Sequence, residues 1–263
     1  MRALQTAATG MMAQERNVEV ISNNVANMRT TGFKRQRVQF QDLLYQTQKP
    51  AGSPTSDQGT NAPSGIYIGS GVKTVSTPRV MGQGNLTPTE KSYDLAIRGE
   101  GLFRIQMPDG RTAYTRDGSF ELDADGRMVT HDGYPVEPTI TVPNTATSVD
   151  INAQGAVSAN LPGQTAPQAL GQLQLARFVN KVGLESIGDN LFVETQGSGA
   201  AVTGNPGADG MGNLQQGHLE ESNVNSVTEI SSLIAAQRAY ELNAKVITAA
   251  DQMLNAASQA FRG

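Results

Sequence analysis

Apolar residues return at every seventh position near both ends of the chain and alternate with polar ones in between. Near the C-terminus, Leu233, Tyr240, Ile247, Leu254 and Phe261 form one row, with Ala236, Ala250 and Ala257 in the intervening seam positions. There is no Gly or Pro between Ser222 and Arg262, and Ser226 with Glu229 has the spacing of a capping box. The pattern predicts a single helix of roughly 36 residues, about 54 Å long at 1.5 Å per residue. A helix this long with a narrow apolar seam needs a partner along its length. Asn243 also falls in the seam, where a polar side chain fixes register at some cost in stability.

The expected partner is the other end of the chain. Leu4, Met11, Val18 and Val25 are seven apart, as are Ala7, Ile21 and Met28, with Gln14 interrupting the second row. An isolated pair of such helices is marginal, because ordering each residue costs about 1–2 kcal/mol while each buried seam side chain returns roughly 1.5–3 kcal/mol. Further copies in an assembly are expected to supply the remainder.

Between the helices the period changes to two. Residues 66–75, 95–107, 113–122, 149–157, 170–179 and 190–195 alternate or are rich in β-branched side chains, and Asp-Gly pairs at 109–110, 117–118, 125–126 and 132–133 punctuate them. The fold class expected is α+β, with N- and C-terminal helices pairing as a coiled-coil layer around a central antiparallel all-β domain. The corresponding sections are 1–45 (N-terminal helix and connector), 46–65 (an extended Pro- and Gly-rich segment without regular structure), 66–217 (the β-rich domain, with a loose linker over 196–217) and 218–263 (the C-terminal helix).

Composition narrows the function. The formal net charge of −4 over 263 residues gives no reason to expect nucleic acid as the main partner. No apolar run is long enough to span a membrane. Gln5, Thr6, Gln14, Glu15 and Arg16 interrupt any secretory signal core, so no cleaved signal peptide is expected. The absence of cysteine removes disulfides and thiol chemistry.

The search for a reactive site gives little. Residues 121–132 approximate a calcium loop but carry Glu at the first position and Asp at the twelfth, so carboxylate-bearing turns are expected there. The glycine pairs at 69–71 and 99–101 lack the third glycine of a dinucleotide fingerprint, and His131 and His218 stand without metal-ligand neighbours. No catalytic residue, metal ligand or cofactor site is assigned. Lys34, Arg35 and Arg37 are expected to form a solvated or subunit-facing basic patch.

Two motifs stand apart from this pattern. Ser22-Asn23-Asn24-Val25-Ala26-Asn27 is followed by Thr31-Gly32-Phe33-Lys34, and Leu233-Ile234 is followed by Gln237-Arg238-Ala239-Tyr240-Glu241, Asn243 and Lys245. They resemble the N- and C-terminal signatures of the flagellar rod and hook axial proteins. The likeness continues through 114–120, 188–195, 216–220 and 222–224 and so covers essentially the whole chain. Within that family, Pro54-Thr55-Ser56-Asp57-Gln58-Gly59-Thr60 is most similar to members at the distal end of the rod.

The resemblance implies a subunit exported through the flagellar type III apparatus without a cleaved signal. It also implies self-assembly into a hollow helical tube that crosses the periplasm within the periplasmic and outer-membrane ring bushings, between the proximal rod protein and the hook protein. Residues 54–59 would then set the shape of the polymer, and catalysis is not expected. A hook or proximal rod protein is the alternative within the family. An oligomeric β-domain binding module is the alternative outside it.

Overall fold

The structure is a computed structural model and describes residues 2–53, 61–164 and 166–260. Its architecture is α+β, with one long helix at each end and antiparallel strands between them. Helix α1 spans Arg2–Ala26 and helix α2 spans Ser226–Ala260. The chain divides into two units. One comprises Met1–Ala26, Gln36–Pro78 and Asn225–Gly263, and the other comprises Asn27–Arg35 and Arg79–Val224.

In the first unit α1 packs on α2. Asn24 of α1 reaches Glu229 near the start of α2, whereas Gly10 of α1 abuts Asn243 further along it, so the helices run antiparallel. The cap of α2 lies one residue earlier than the capping-box spacing suggests. Asn225 Oδ1 accepts the Thr228 N–H at 3.1 Å, and the Glu229 carboxylate accepts a bond from Asn24 instead of serving only its own first turn.

Among the described residues of 36–78, the strands form an antiparallel ribbon of two successive pairs. Gln39–Asp42 pairs with Val72–Ser76, and Tyr45–Lys49 pairs with Ile66–Gly69. Thr9 of α1 holds it through a bond from Val72 N–H to Thr9 Oγ1. Gly71 is required at that contact, because its φ is +117° and a Cβ there would lie 2.1 Å from the Thr9 hydroxyl. The expectation of an unstructured segment over 46–65 is thus corrected at its start, where Tyr45 and Thr47 are strand formers with a partner in 66–69.

The second unit is the β-rich one. Its main sheet runs Glu185–Gly188, Leu191–Val193, Thr112–Thr115, Leu102–Gln106, Leu175–Arg177 and Val202–Gly204, and Val136–Glu137 also pairs with Leu102–Gln106. A three-stranded sheet of Ser148–Ile151, Ala156–Asn160 and Gln168–Gln172 shares its core. Val149 and Ile151 turn inward while Ser148 and Asp150 face water, which is the alternation expected of a half-buried strand. Phe103 and Phe120 meet edge to face at the centre, with centroids 5.0 Å apart.

The stretch 196–217, expected to be a loose linker, contains the strands Val202–Gly204 and Asn213–Gln216, which pair with Leu175–Arg177 and Leu95–Arg98. Asp117-Gly118 is not a hairpin turn. The Asp117 carboxylate accepts the Ser119 N–H and hydroxyl, and a Cβ on Gly118 would lie 1.7 Å from the Leu95 carbonyl oxygen. Glycine there permits close backbone approach.

Candidate functional site

The seam of the first unit is lined with small residues. Ala7, Ala13 and Ile21 of α1 and Ala236 and Ala250 of α2 are buried, and Leu4, Met11, Val18, Val25, Leu233, Asn243 and Ile247 are half-buried. A Cβ on Gly10 would come within 2.9 Å of the Asn243 amide nitrogen, so glycine leaves room there for the seam asparagine. Two of the expected seam residues are exposed in the single chain. Tyr240 is 43% exposed, although Leu233 and Ile247, one heptad to either side, are half-buried. Leu254 is 41% exposed, because α1 begins level with Ala250 and every described residue from Asp251 to Ala260 is exposed. Phe261 lies outside the described residues.

Two polar side chains sit in this seam, fully buried. Asn24 donates to Glu229 Oε2 at 3.2 Å and to the Gln36 carbonyl at 2.8 Å, while its own carbonyl accepts the Gln36 N–H at 2.9 Å. A buried amide is tolerated when its donors and acceptor are satisfied, and here one backbone residue, bound on both sides, meets most of that need. Within the Asn-rich motif, Asn23 is exposed and Asn24 buried. The neighbouring Asn27 begins the second unit, where its side chain accepts the Thr30 hydroxyl and its carbonyl the Thr30 N–H.

The second unit contains a charge cluster that no local sequence pattern signals. Glu220 Oε1 accepts Lys34 Nζ at 2.5 Å and the Gly84 N–H at 2.8 Å, and Glu220 Oε2 accepts Arg116 Nε at 2.5 Å. The remaining Arg116 donors go to the carbonyls of Gly101, Ile97 and Gly99, and Lys34 also donates to the Gly82 carbonyl. All three side chains are 5% exposed or less. Burial alone would push the Glu220 carboxyl up, but Arg116, Lys34 and the Gly84 N–H outweigh it and hold the group below its ordinary value. Burial lowers the Lys34 ammonium from its ordinary value, and Glu220 opposes that shift.

Lys34 therefore does not belong to a solvated basic patch. Its long apolar stem and a carboxylate partner let it enter the interior, whereas Arg37 stays exposed. Gly32 of the same motif is buried at φ +67°, with its N–H donating to the Glu220 carbonyl at 2.7 Å, and Phe33 is half-buried. The partial calcium loop is a turn: Asp123 accepts the Asp125 and Arg127 N–H groups and the Arg127 guanidinium. Among the described residues no group of three or more His, Cys, Asp or Glu side chains is arranged to hold a metal.

What lies exposed is more informative than any cavity. Gln237, Arg238, Tyr240 and Glu241 of the C-terminal motif all face outward. Beside them Val227, Ile230, Ile234, Leu242, Val246 and Met253 form a second apolar stripe on α2, from 46% to 72% exposed. The ribbon likewise presents Phe40, Leu44, Tyr45, Ile66, Tyr67 and Val75. Scattered exposed apolar residues are ordinary, but stripes along whole elements mark interaction surfaces. Residues 54–59, expected to set polymer shape, lie outside the described residues.

Paired terminal helices with uncovered apolar stripes, attached to a self-sufficient β-unit, define a subunit of an assembly, and comparison with known proteins agrees. Residues 4–34 match the family described as "Flagella basal body rod protein", residues 96–159 match "Flagellar hook protein FlgE/F/G D1 domain", and residues 215–260 match "Flagellar basal body rod FlgEFG protein C-terminal". The chain is 56% identical to the flagellar basal-body rod protein FlgG of Caulobacter vibrioides, over 98% of this chain and 99% of that one. It is 50% identical to FlgG of Buchnera aphidicola subsp. Acyrthosiphon pisum, over 98% of each chain. It is 47% identical to FlgG of Borreliella burgdorferi, over 100% of this chain and 99% of that one. The chain belongs to the FlgG family of flagellar basal-body rod proteins.

Proposed function

We propose that this chain is a structural subunit that polymerises into the distal rod, a straight hollow shaft transmitting torque from the proximal rod to the hook. The terminal helices form a coiled-coil inner layer and the β-unit an outer one. Its partners are further copies of itself, the proximal rod protein, the hook protein through junction proteins, the periplasmic and outer-membrane ring bushings, and the type III apparatus that exports it into the periplasm without a cleaved signal. A contact between two dissimilar faces, with a rotation that does not close, generates an open helical filament from one kind of subunit. Residues 46–65 hold the outer domains and keep the shaft straight.

The observation that carries this proposal is the second apolar stripe of α2, which lies away from its covered seam and is left exposed by all the described residues of the chain. Val246→Asp tests it. Val246 is 48% exposed, so a carboxylate there is hydrated in the free subunit but costs several kcal/mol once a neighbour covers it. The variant is expected to remain folded by circular dichroism and to sediment as a monomer at concentrations where the parent forms filaments. Normal filaments from the variant would refute the assignment of this stripe to assembly.

A further inference from the structure

The main sheet of the β-unit has two apolar faces of unequal size. Phe103, Ile105, Leu175 and Leu191 point into the large core, whereas their sequence neighbours Leu102, Ala176 and Phe192 belong to a smaller cluster with Tyr114, Phe178 and Leu184. Successive strand residues point to opposite faces, so this cluster covers the other side of the sheet. Arg79 lies against it. Its guanidinium carbon stands 5.1 Å from the centroid of the Phe192 ring, a cation–π contact that holds the group on the sheet.

Arg79 is half-buried, and among the described residues no carboxylate or carbonyl accepts a bond from its guanidinium. Burial lowers its pKa from the ordinary value, with no acidic group opposing the shift. Arg116 in the same unit, by contrast, donates to Glu220 and to three carbonyls. The backbone next to Arg79 is held as well, because the Val80 N–H donates to the Arg35 carbonyl and the Val80 carbonyl accepts the Asn223 amide, both at 2.8 Å. Bordering the same cluster, Val179 follows Phe178 and is 93% exposed, and Val182, two residues before Leu184, is 53% exposed. The loop that carries them is tied at Asn180, whose side-chain amide donates to the Gly197 carbonyl at 2.7 Å. An arginine without an acceptor and exposed valines bordering one cluster have the composition of an interface centre.

We infer that this face of the sheet is a contact surface for a second copy of the chain, with Arg79 receiving a carboxylate from that copy and Val179 and Val182 packing against its apolar side chains. The guanidinium fork matches a carboxylate through two parallel bonds, and its weak hydration suits it to a contact that excludes water. Charge favours a second copy as the occupant, since each chain carries 24 Asp and Glu against 20 Lys and Arg and so has carboxylates to spare. The Phe192 ring and the bonded backbone place the donors in advance, which lowers the ordering cost of the contact. Such a contact joins unlike faces of successive copies, the kind that leaves a filament open. The inference rests on the assembly reading above and adds a contact of the β-unit to that of α2.

The test compares polymerisation of the full-length parent with that of Arg79→Glu, Arg79→Gln and Val179→Asp. Arg79→Glu sets a carboxylate against a carboxylate and should raise the concentration at which filaments form on the order of tenfold or more, with the other two raising it less. Unchanged amide protection at Phe103 and Leu175 is the fold control. Val179 is almost fully exposed, so Val179→Asp carries the comparison if a variant at Arg79 fails to fold. Arg79→Lys supplies an amine for zero-length carbodiimide coupling in filaments mixed from light- and heavy-nitrogen chains. Mass spectrometry should find position 79 joined to an Asp or Glu of a chain of the other isotope in the filament and not in the monomer. An unchanged threshold in folded variants at both positions would overturn the proposal, as would couplings from position 79 confined to a single chain. If Val246→Asp blocks assembly while these variants do not, the β-unit contact is wrong and the assembly proposal stands. A parent that forms no filaments would remove both.

Discussion

The β-unit encloses a core of large apolar side chains within one chain, although Val179 and Val182 stay exposed, whereas the helical unit encloses few. In the β-unit Phe103, Ile105, Met128, Leu173 and Leu175 are completely covered, and even its polar cluster of Lys34, Arg116 and Glu220 is closed to water. In α1 and α2 the buried residues are mostly alanines, with Ile21 the one large aliphatic side chain among those described. Larger side chains such as Leu242, Val246 and Met253 lie outside. The two-stranded ribbon beside them is of a kind that is marginal in water by itself. On the proposed assembly, the difference predicts one part that is stable beforehand and one whose stability the assembly completes.

The largest effect separating the two regions should come from Glu220→Gln. The substitution removes the negative charge between two buried cations, and breaking a buried ionic group by removing one partner costs about 3–5 kcal/mol. Urea unfolding followed by near-ultraviolet circular dichroism should show the β-unit losing most of that amount. The helical signal of α1 and α2 should respond much less. Equal losses in both signals would mean that the two regions unfold together and would break the comparison.

Acid gives a smaller effect of the same origin. The folded-state pKa of Glu220 is depressed below its ordinary value of 4.5, so its contribution is fully present above that pH. As pH falls from 4.5 through the lower folded-state value, the unfolded chain takes up the proton first and the contribution is lost. The parent should therefore lose β-unit stability below pH 4.5 more steeply than Glu220→Gln. Parallel acid limbs for the two proteins would remove Glu220 from the account.

Much of this division is legible in the sequence. Seven-residue rows at 4–25 and 233–254 mark the helices, and alternation with Asp-Gly turns marks the strands at 102–106, 112–115 and 148–151. The features that are not legible depend on partners distant in sequence. Glu220 sits among ordinary strand residues and nothing near it announces Arg116 or Lys34, which lie 104 and 186 positions away. Glu229 has the local spacing of a capping residue relative to Ser226, whereas its partner Asn24 is 205 positions away. Tyr45–Lys49 looks irregular because Pro and Gly dominate the adjoining segment, and its partner strand lies on the far side of that whole segment. The end of the covered seam at Ala250 depends on where α1 starts, which the heptad row of α2 cannot encode.

The finest test of the comparison lies within a single helix. Residues 229–250 of α2 face α1 at every turn, whereas residues 251–260 are all exposed and lie beyond the reach of α1. Isolated helical turns are marginal because nucleation is costly and propagation gains little per residue, so the last ten residues depend on the helix that precedes them. In the monomer, amides of 251–260 should exchange within about tenfold of unstructured peptide rates, while those near Ala236 and Asn243 are slower by about one to two further decades. Polymerisation should slow the overhang most, because Met253 and Leu254 then acquire the cover that α1 is too short to give. Uniform protection along α2 in the monomer would show that the helix is self-supporting. Unchanged exchange of the overhang in the polymer would show that its exposed apolar positions take no part in assembly.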